Sequence, residues 1–223
     1  MGIIFDMDGV LINSNAAHLA SWLEVAKEDG VSFTKETFLS TFGMTSEYIV
    51  EHHWKTGLTP EEVADVVERK ETVFRESILE HVKPIKGSRD FVRDLADKDV
   101  PIAVGSSAPK VNVEYVLDWM KLREFFGDCV VAGNEVKRGK PAPDIFLACA
   151  QKIGAPPERC VVIEDSRSGV NAGKNAGMTV IGFFSEGHRA EEYENADYVV
   201  RSFDELRELL GFDESGALFL KKN

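Results

Sequence analysis

Two carboxylates separated by one residue follow a short apolar segment at the beginning of the chain. The apolar residues 3–5 lead directly into Asp6 and Asp8, and Gly9 comes next. An apolar run of this length predicts a strand buried on both faces, as strands of parallel sheets usually are. Such sheets bind ligands at the carboxyl ends of their strands, where both carboxylates would lie. Because two negative charges this close need a cation or a shared proton, the segment indicates metal or acid–base chemistry.

Two structural interpretations compete with the catalytic one for this segment. An aspartate-rich turn can be a solvated helix cap. It can also be a calcium loop of the EF-hand type, which needs a glycine at its sixth position and a glutamate at its twelfth. Counted from Asp6, Gly9 is fourth and Ala17 is twelfth, which excludes the EF-hand. The motif by itself leaves the helix-cap and catalytic interpretations open.

Polar residues also follow the apolar segments that predict later strands. Ser106 follows one of them, Glu164 and Asp165 follow another, and Lys140 lies in a loop before a helix that begins near prolines. Hard carboxylate oxygens from two loops suit Mg²⁺, and a serine at a helix start with a lysine can hold phosphate oxygens. Taken singly, these residues are ordinary helix caps and a surface lysine. Their joint position at successive strand ends predicts a site for metal and phosphate.

The composition restricts the partners of this 223-residue chain. Hydrophobic residues make up 43% and charged residues 29%, as in globular proteins that function in water. The net charge of −12, without a basic run, argues against nucleic acid and requires local positive charge around any anionic substrate. The three cysteines (Cys129, Cys149 and Cys160) lack metal or redox spacing and are expected to be buried reduced thiols. Neither a membrane span nor a signal peptide is found, so we expect a cytoplasmic protein.

Hydrophobic periodicity predicts that a helical segment interrupts the chain after the first strand. Residues 14–82 show helical spacing without a convincing strand. Thr59 and Pro60, followed by two glutamates, are a strong helix start, and the helix is expected to run to about His81. We therefore expect an inserted helical domain at 14–83, with residues 1–13 and 84–223 forming a second domain.

The remainder of the chain alternates between short strands and helices. This alternation predicts right-handed βαβ units, an α/β fold and a parallel sheet. Gly169, Gly173 and Gly177 recur every four residues on one of the helices, which indicates close packing on the sheet or on a neighbouring helix. No pattern is evident in the tail from residue 212 to residue 223. The predicted strands after the insert are 100–104, 129–132, 160–163, 179–183 and 198–200.

These motifs resemble those of the haloacid dehalogenase superfamily, which contains aspartyl-phosphate hydrolases and mutases. The resemblance extends over essentially the full chain and implies a Rossmann-like parallel-sheet core. The helical insert resembles the α-helical cap domain of the β-phosphoglucomutase and phosphoglycolate phosphatase branch. The segments that carry the resemblance, in chain order, are Phe5-Asp6-Met7-Asp8-Gly9-Val10-Leu11, Val104-Gly105-Ser106-Ser107, Gly139-Lys140-Pro141-Ala142-Pro143-Asp144 and Val162-Ile163-Glu164-Asp165-Ser166 with Gly169.

The resemblance implies a role for each matched residue. Asp6 would be the nucleophile that accepts the phosphoryl group, and Asp8 would protonate the leaving alkoxide and then activate water. Metal contact would keep Asp6 ionised, whereas Asp8 could carry a proton. The implied Mg²⁺ ligands are Asp6, the main-chain oxygen of Asp8, Asp165 and, directly or through the outer sphere, Glu164. The implied phosphate- and substrate-binding residues are Ser106, Ser107, Lys140 and His18.

The helical insert distinguishes the branches of this superfamily. His18 and Trp22 match the mutase branch, although His18 lies on an apolar helix face, which favours a core histidine over a catalytic one. In the segment 42–46 (Phe-Gly-Met-Thr-Ser), Ser46 stands where mutases carry the arginine that grips a second phosphate. Asn13 replaces the usual aspartate before Ser14. These departures favour a phosphatase over a phosphomutase.

The expected activity is therefore Mg²⁺-dependent hydrolysis of a small, sugar-phosphate-like metabolite through an aspartyl-phosphate. A β-phosphoglucomutase-like phosphomutase is the alternative, and a non-catalytic phosphometabolite-binding protein is a third possibility. Asp8 argues against the dehalogenase branch. Phosphonatases form a Schiff base with a lysine of the cap; no residue here is a clear match for it, and Lys55 leaves that chemistry open. We expect no nucleic-acid or membrane partner, and a monomer or weak homodimer.

Overall fold

The computed structural model describes residues 1–41, 44–184, 190–214 and 217–221, without the side chains of residues 78–80. The strands in chain order are β1 (Gly2–Phe5), β2 (Ile12–Asn13), β3 (Lys83–Pro84), β4 (Ile102–Ser106), β5 (Val130–Ala132), β6 (Cys160–Glu164), β7 (Thr179–Phe183), β8 (Tyr198–Val200), β9 (Leu210–Phe212) and β10 (Leu218–Leu220). The α-helices are α1 (Asn15–Asp29), α2 (Lys35–Ser40), α3 (Ser46–His53), α4 (Pro60–His81), α5 (Ser88–Ala96), α6 (Lys110–Trp119), α7 (Arg123–Phe126), α8 (Asp144–Lys152), α9 (Arg167–Asn175) and α10 (Phe203–Leu209).

Six parallel strands form the central sheet, in the order β5-β4-β1-β6-β7-β8. Strand β1 lies near the middle, and all four of its residues are buried, as the apolar run predicted. Phe5 pairs with Val104 of β4 on one side and with Ile163 of β6 on the other. The three central strands therefore end at the same level, and the residues that follow them meet at one edge of the sheet.

Helices cover both faces of the sheet. Ile3 and Phe5 of β1 point to one face and pack in a cluster with apolar residues of α5, α6, α7 and α10. Ile4 belongs to a second cluster with residues of α8 and α9. This alternation explains why β1 has no polar residue before Asp6, because both of its faces are covered. The structure confirms the predicted Rossmann-like α/β core.

The helices α1 to α4, here called the helical insert, have an apolar cluster of their own. Its buried members are Trp22, Val25, Ala26, Phe33, Phe38, Ile49, Val50, Val63, Val66 and Val67. The chain enters and leaves the insert through β2 and β3, which pair antiparallel with Ile12 opposite Pro84 and Asn13 opposite Lys83. The sequence did not predict this ladder, since a strand of two residues has no readable periodicity.

The helix boundaries of the insert follow local capping chemistry. Thr59 precedes α4, and its N–H donates to Glu62 Oε2 over 2.8 Å while the Glu62 N–H donates back to Thr59 Oγ1 over 3.3 Å. This reciprocal pair is a capping box and confirms the predicted helix start. Helix α4 ends at His81, as predicted. In the segment 42–46, where mutases carry an arginine and this chain has Ser46, Phe42 and Gly43 lie outside the described residues.

Several local features differ from the sequence predictions. The tail forms an antiparallel hairpin of β9 and β10, and helix α7 was not predicted. Strand β4 begins at Ile102, two residues later than expected, and Pro101 before it has no N–H to donate to the ladder. Cys149 and Cys160 are buried free thiols as expected, whereas Cys129 is only partly buried. Among the described residues, no helix has the length and apolar character needed to span a bilayer.

Candidate active site

The ends of β4, β1 and β6 bring together the residues predicted from the strand-end pattern. Asp6 follows β1, and its N–H donates to the carbonyl of Ile163 in β6 over 2.9 Å. Ser106 is the last residue of β4 and Glu164 the last of β6, with Asp165 immediately after it. Because β4 and β6 flank β1, these side chains surround Asp6.

Lys140 connects the three central strands at this edge. Its Nζ lies 2.6 Å from Asp6 Oδ1, 2.8 Å from Glu164 Oε1 and 3.2 Å from the carbonyl oxygen of Gly105 in β4. The residue is only 4% exposed, so it is not the surface lysine that its sequence position alone suggests. Burial would lower the pKa of Lys140, but Asp6 and Glu164 outweigh burial and raise it, so the ammonium stays charged. All three of its N–H bonds have acceptors in the protein.

The carboxyl group of Asp6 is in an environment short of positive charge. Burial raises its pKa well above the usual range, and the carboxylates of Glu164, Asp165 and Asp8 raise it further. The Lys140 ammonium offsets only part of this effect. Four carboxyl groups thus lie close together, and Lys140 contacts only two of them, Asp6 and Glu164. This is the charge balance expected where a divalent cation completes the site.

Glu164 serves mainly to hold Lys140 and the loop after β6. Its Oε1 accepts from Lys140, and its Oε2 accepts from the Ser166 N–H at 2.6 Å and from Ser166 Oγ at 3.0 Å. Gly169 makes room for it, since a Cβ at that position would lie 1.6 Å from Glu164 Oε1. With both oxygens engaged, Glu164 suits an outer-sphere role better than a direct metal contact.

Asp165 lies against the loop that carries the first motif. A Cβ on Gly9 would lie 1.6 Å from Asp165 Oδ2, and Gly9 has a φ of +76°, so both space and conformation require glycine there. The hydroxyl of Tyr193, in a short 3₁₀ helix after β7, donates to the main-chain oxygen of Asp165 over 2.7 Å. The metal-binding candidate is therefore fixed from two directions.

The predicted metal ligands fit Mg²⁺ by their chemistry. No cluster of three or more His, Cys, Asp or Glu side chains suited to a metal occurs in the part of the chain that the structure describes. The predicted set needs only two side chains, those of Asp6 and Asp165, together with the main-chain oxygen of Asp8. Mg²⁺ commonly binds through one or two carboxylates and keeps several positions for water and phosphate oxygens.

Ser106 and Ser107 lie where a phosphate group would meet the end of β4. Ser106 is 1% exposed, and its Oγ accepts from the Ala108 N–H at 3.1 Å. The residue is not at a helix start as expected, because α6 begins only at Lys110 and a tight turn separates the two. Both serines line the same cavity as Asp6 and Asp165.

Asp8 is held by the residue before α1 and by a residue in the first turn of that helix. The Ser14 hydroxyl donates to Asp8 Oδ1 over 2.5 Å, and His18 Nε2 lies 3.0 Å from the same oxygen. Burial alone would raise the pKa of Asp8, but His18, Ser14 and the charge of Lys70 outweigh it, so that its pKa is lowered. In this state Asp8 is a carboxylate, suited to accept a proton, and it must gain one before it can act as an acid.

Lys70 of α4 determines the tautomer of His18. Its Nζ lies 2.9 Å from His18 Nδ1, and an ammonium can only donate, so Nδ1 is the acceptor. The ring proton is then on Nε2 and is donated to Asp8. One face of the ring stacks on Phe74 with centroids 3.9 Å apart. The expectation of a core histidine describes this face only, because both ring nitrogens have polar partners.

The cavity at the strand ends lies between the sheet and the helical insert. The insert contributes apolar side chains together with the polar residues Ser46, Lys70 and Glu71. Lys55, the candidate for Schiff-base chemistry, lines a separate surface pocket with Asp29 and Trp54. The apolar side chains that the insert contributes to the lining are those of Trp22, Phe38, Met44 and Ile49.

Two buried polar residues of the insert, Lys70 and Glu71, were not predicted from the sequence. Lys70 and Glu71 are 2% and 1% exposed and form an ion pair of 2.9 Å. A usable signal exists, because Lys70 lies midway between the buried Val66 and Phe74 at four-residue spacing. Charged residues on the apolar face of a helix therefore mark this half of the site.

Comparisons with known proteins agree with this geometry. A model of the haloacid dehalogenase-like hydrolases matches residues 3–183. The chain is 32% identical over 180 residues to the fructose-1-phosphate phosphatase YqaB of Escherichia coli (strain K12), with 81% of this chain and 94% of that protein covered. It is 30% identical to a phosphorylated carbohydrates phosphatase of Thermotoga maritima, over 79% of this chain and 81% of that protein.

A solved structure shares both the core and the insert. CbbY from Rhodobacter sphaeroides in complex with xylulose-(1,5)bisphosphate superposes with a TM-score of 0.80 at 28% identity, covering 92% of this chain and 95% of that one. The chain belongs to the haloacid dehalogenase-like hydrolases. It is a phosphoric monoester hydrolase that acts on phosphorylated metabolites, which confirms the family and enzyme class inferred from the motifs.

Proposed function

We propose that this enzyme is a Mg²⁺-dependent phosphatase of small sugar phosphates and works through an aspartyl-phosphate. One observation carries the proposal. Asp6 is buried against Lys140, while Asp8, two residues later, is oriented separately by His18. The two carboxyl groups thus occupy different environments, as a nucleophile and an acid–base group require.

Asp6 attacks the phosphorus atom, and the substrate oxygen leaves with a proton from Asp8. In the second half-reaction, Asp8 takes a proton from water, which releases phosphate from Asp6. Mg²⁺, held by Asp6, Asp165 and the Asp8 main-chain oxygen, would supply positive charge against the transferring phosphoryl group. Ser106 and Ser107 provide hydrogen-bond donors at the end of β4. The Lys140 ammonium offsets part of the negative charge of the buried carboxylates in the site.

We infer that the helical insert acts as a cap domain. We assign residues 14–83 to the cap and residues 1–13 and 84–223 to the catalytic core. The separate apolar cluster of the insert and its connection through only β2 and β3 support this division. A cap that closes over the strand ends excludes bulk water from the aspartyl-phosphate, apart from the water that attacks it.

A contact in the cavity and the names of the relatives support the proposed substrate class. YqaB is named for fructose 1-phosphate, and the Thermotoga protein for phosphorylated carbohydrates. Ser46 stands at the mutase arginine position, and its hydroxyl donates to Glu71 over 2.6 Å, so it is engaged within the protein. This contact favours a sugar monophosphate and hydrolysis over the phosphomutase alternative.

The test is phosphate release from fructose 1-phosphate, glucose 1-phosphate, xylulose 1,5-bisphosphate and p-nitrophenyl phosphate, with Mg²⁺ and with EDTA. We expect Mg²⁺-dependent release that is fastest with a sugar monophosphate. Isomerisation of glucose 1-phosphate without release of phosphate would establish the mutase instead. Binding of sugar phosphates without turnover of any of these compounds would favour the non-catalytic alternative.

A further inference from the structure

Glu71 joins the helical insert to the catalytic core. Its carboxylate lies in α4 and is 1% exposed. Oε1 accepts from the Lys70 ammonium at 2.9 Å and from Ser46 Oγ at 2.6 Å, both within the insert. Oε2 accepts from Asn112 Nδ2 at 2.5 Å, and Asn112 belongs to α6 on the core side. A buried carboxylate with three donors thus bridges the two parts of the molecule.

The orientation of the Asn112 amide is fixed by Arg75. Asn112 is fully buried, and Arg75 Nη1 lies 2.8 Å from its Oδ1. A guanidinium only donates, so the amide oxygen must face Arg75 and the amide nitrogen must face Glu71. Arg75 is itself held by Glu68 and Thr72 at 2.8 Å each. The direction of the hydrogen bond between core and insert is therefore determined.

The bridge is connected to the acid–base carboxylate through two further contacts. Glu71 holds Lys70, Lys70 donates to His18 Nδ1, and His18 Nε2–H donates to Asp8. His18 and Lys70 belong to the insert, whereas Asp8 belongs to the core loop after β1. Any rotation of the insert about the β2–β3 ladder would separate Glu71 from Asn112 and move His18 away from Asp8.

We propose that Glu71 and Asn112 are positioning residues that hold the insert closed and thereby keep His18 on Asp8. Neither residue touches the reacting atoms; both act through Lys70 and His18. The inference rests on the proposed function, because it assigns to Asp8 the proton transfer to the leaving group. Closure would then be coupled to catalysis, since the contact between insert and core also presents the acid–base group.

Kinetics with two classes of substrate, an aryl and an alkyl phosphate, distinguish this positioning role from a merely structural one. Release of p-nitrophenolate needs little help from an acid, because it is a stable anion, whereas the alkoxide of a sugar phosphate must be protonated. The base role of Asp8 in the second half-reaction is common to both substrates, so the quantity to compare is kcat/KM, which covers only the steps through phosphoryl transfer to Asp6. A displaced Asp8 therefore lowers kcat/KM for alkyl phosphates far more than for aryl phosphates. General destabilisation would reduce the turnover of both substrates together.

The variants are Glu71→Gln, Asn112→Asp and the double variant that carries both changes. In Glu71→Gln one carboxylate oxygen is replaced by an NH₂ group, which must then face a donor: either the Asn112 amide or Lys70 and Ser46. In Asn112→Asp two carboxylates face each other. In the double variant the introduced amide can donate to the introduced carboxylate, which still accepts from Arg75. The net charge of the double variant equals that of the parent. Glu76→Gln, an exposed carboxylate on α4, is the matched control.

We expect each single variant to lose kcat/KM for the alkyl phosphate by about tenfold or more, as for a hydrogen bond to a charged group, and to lose no more than about threefold in kcat/KM for the aryl phosphate. The double variant should return to within about threefold of the parent, and the control should not change. Amide hydrogen exchange in α4 and α6 should rise in the single variants and recover in the double variant. Equal losses on both substrates, or no recovery in the double variant, would overturn the proposal.

The design distinguishes failure of this inference from failure of the proposed function. If the parent released phosphate from neither substrate with Mg²⁺, the phosphatase proposal and the assigned role of Asp8 would both fall. Hydrogen exchange would still show whether the bridge holds the insert on the core. If the parent is active and the single variants match it on both substrates, only the positioning role is refuted.

Discussion

His18 Nε2 lies 3.0 Å from the carboxylate of Asp8, across the boundary between the helical insert and the sheet. Lys70 donates to the other ring nitrogen, so Nε2 is the ring nitrogen that donates to Asp8. This contact lowers the pKa of Asp8, which keeps the carboxyl group ionised, and it orients the carboxylate. Asp8 can therefore serve as the base for the attacking water, while its conversion to an acid depends on the charge that the substrate brings.

Replacing His18 should reduce catalysis selectively. In His18→Ala, Asp8 loses a donor, and the ring that fixes its orientation is gone. We expect kcat/KM for a sugar phosphate to fall by about tenfold to a hundredfold, with a smaller loss for p-nitrophenyl phosphate. Steady-state kinetics on both substrates measures the effect. His52→Ala removes an exposed histidine and should leave both rates unchanged; equal losses on both substrates would contradict the assignment.

Gly169→Ala should lower the activity of the enzyme without altering a residue assigned a chemical role. The added methyl group would lie 1.6 Å from Glu164 Oε1, so the carboxylate must move away from Lys140 and Ser166. Lys140 then loses one of its two anionic partners, and the balance of charge around Asp6 changes. We expect kcat/KM to fall by at least about tenfold, together with a lower melting temperature.

Asn171→Ala on the same helix is the control for this effect. Asn171 is only partly buried and contacts Asn195, away from Glu164. Its loss should change kcat/KM by less than about twofold, as expected for a surface position. If Gly169→Ala retained full activity, Glu164 would not be needed to position Lys140.

The strand-end residues were predictable because parallel topology alone brings Asp6, Ser106, Glu164 and Asp165 to one edge. The contacts of Lys140 were not, since nothing local shows that a lysine in a loop will be buried. Its three acceptors come from three different strands and meet only after the sheet has formed. The topology therefore specified which residues meet, but not how the donors and acceptors are distributed among them.

The buried polar residues of the insert were not predictable for a related reason. Its helices were found from their spacing, but charged residues such as Lys70 and Glu71 normally mark a solvent-exposed helix face. They are buried here because each satisfies the other and both find further partners, in His18 and Asn112, outside their own helix. Contacts between separate elements cannot be deduced from the periodicity of one of them.

Metal binding should be measurable apart from turnover. A cation that binds the folded state stabilises it, by about 2.7 kcal/mol at a hundred times its Kd. We expect Mg²⁺ to raise the melting temperature of the parent and EDTA to reverse the increase, while Asp165→Asn should lose most of the response. Differential scanning calorimetry tests this expectation. A full response in Asp165→Asn would exclude Asp165 as a ligand.

Glu71 should make the stability of the fold sensitive to acid. Burial opposes its ionisation, but the charge of Lys70 and the hydrogen bonds from Ser46 and Lys70 outweigh burial and lower its pKa below the ordinary 4.5. A carboxyl group with a lower pKa in the folded state stabilises the fold above its unfolded pKa. That contribution is lost as the pH falls through the folded pKa. The free energy of unfolding of the parent should therefore decrease below about pH 4.5.

Glu71→Gln should remove this dependence at a cost in stability. At about pH 7 the variant leaves Lys70 without its buried carboxylate partner, so we expect its free energy of unfolding to be lower by about 3 kcal/mol. Because the glutamine does not titrate, the difference between parent and variant should shrink as the pH falls below about 4.5. Urea unfolding at several pH values measures this difference, with Glu76→Gln as the exposed control. A difference that stayed constant with pH would show that Glu71 titrates alike in the folded and unfolded chains.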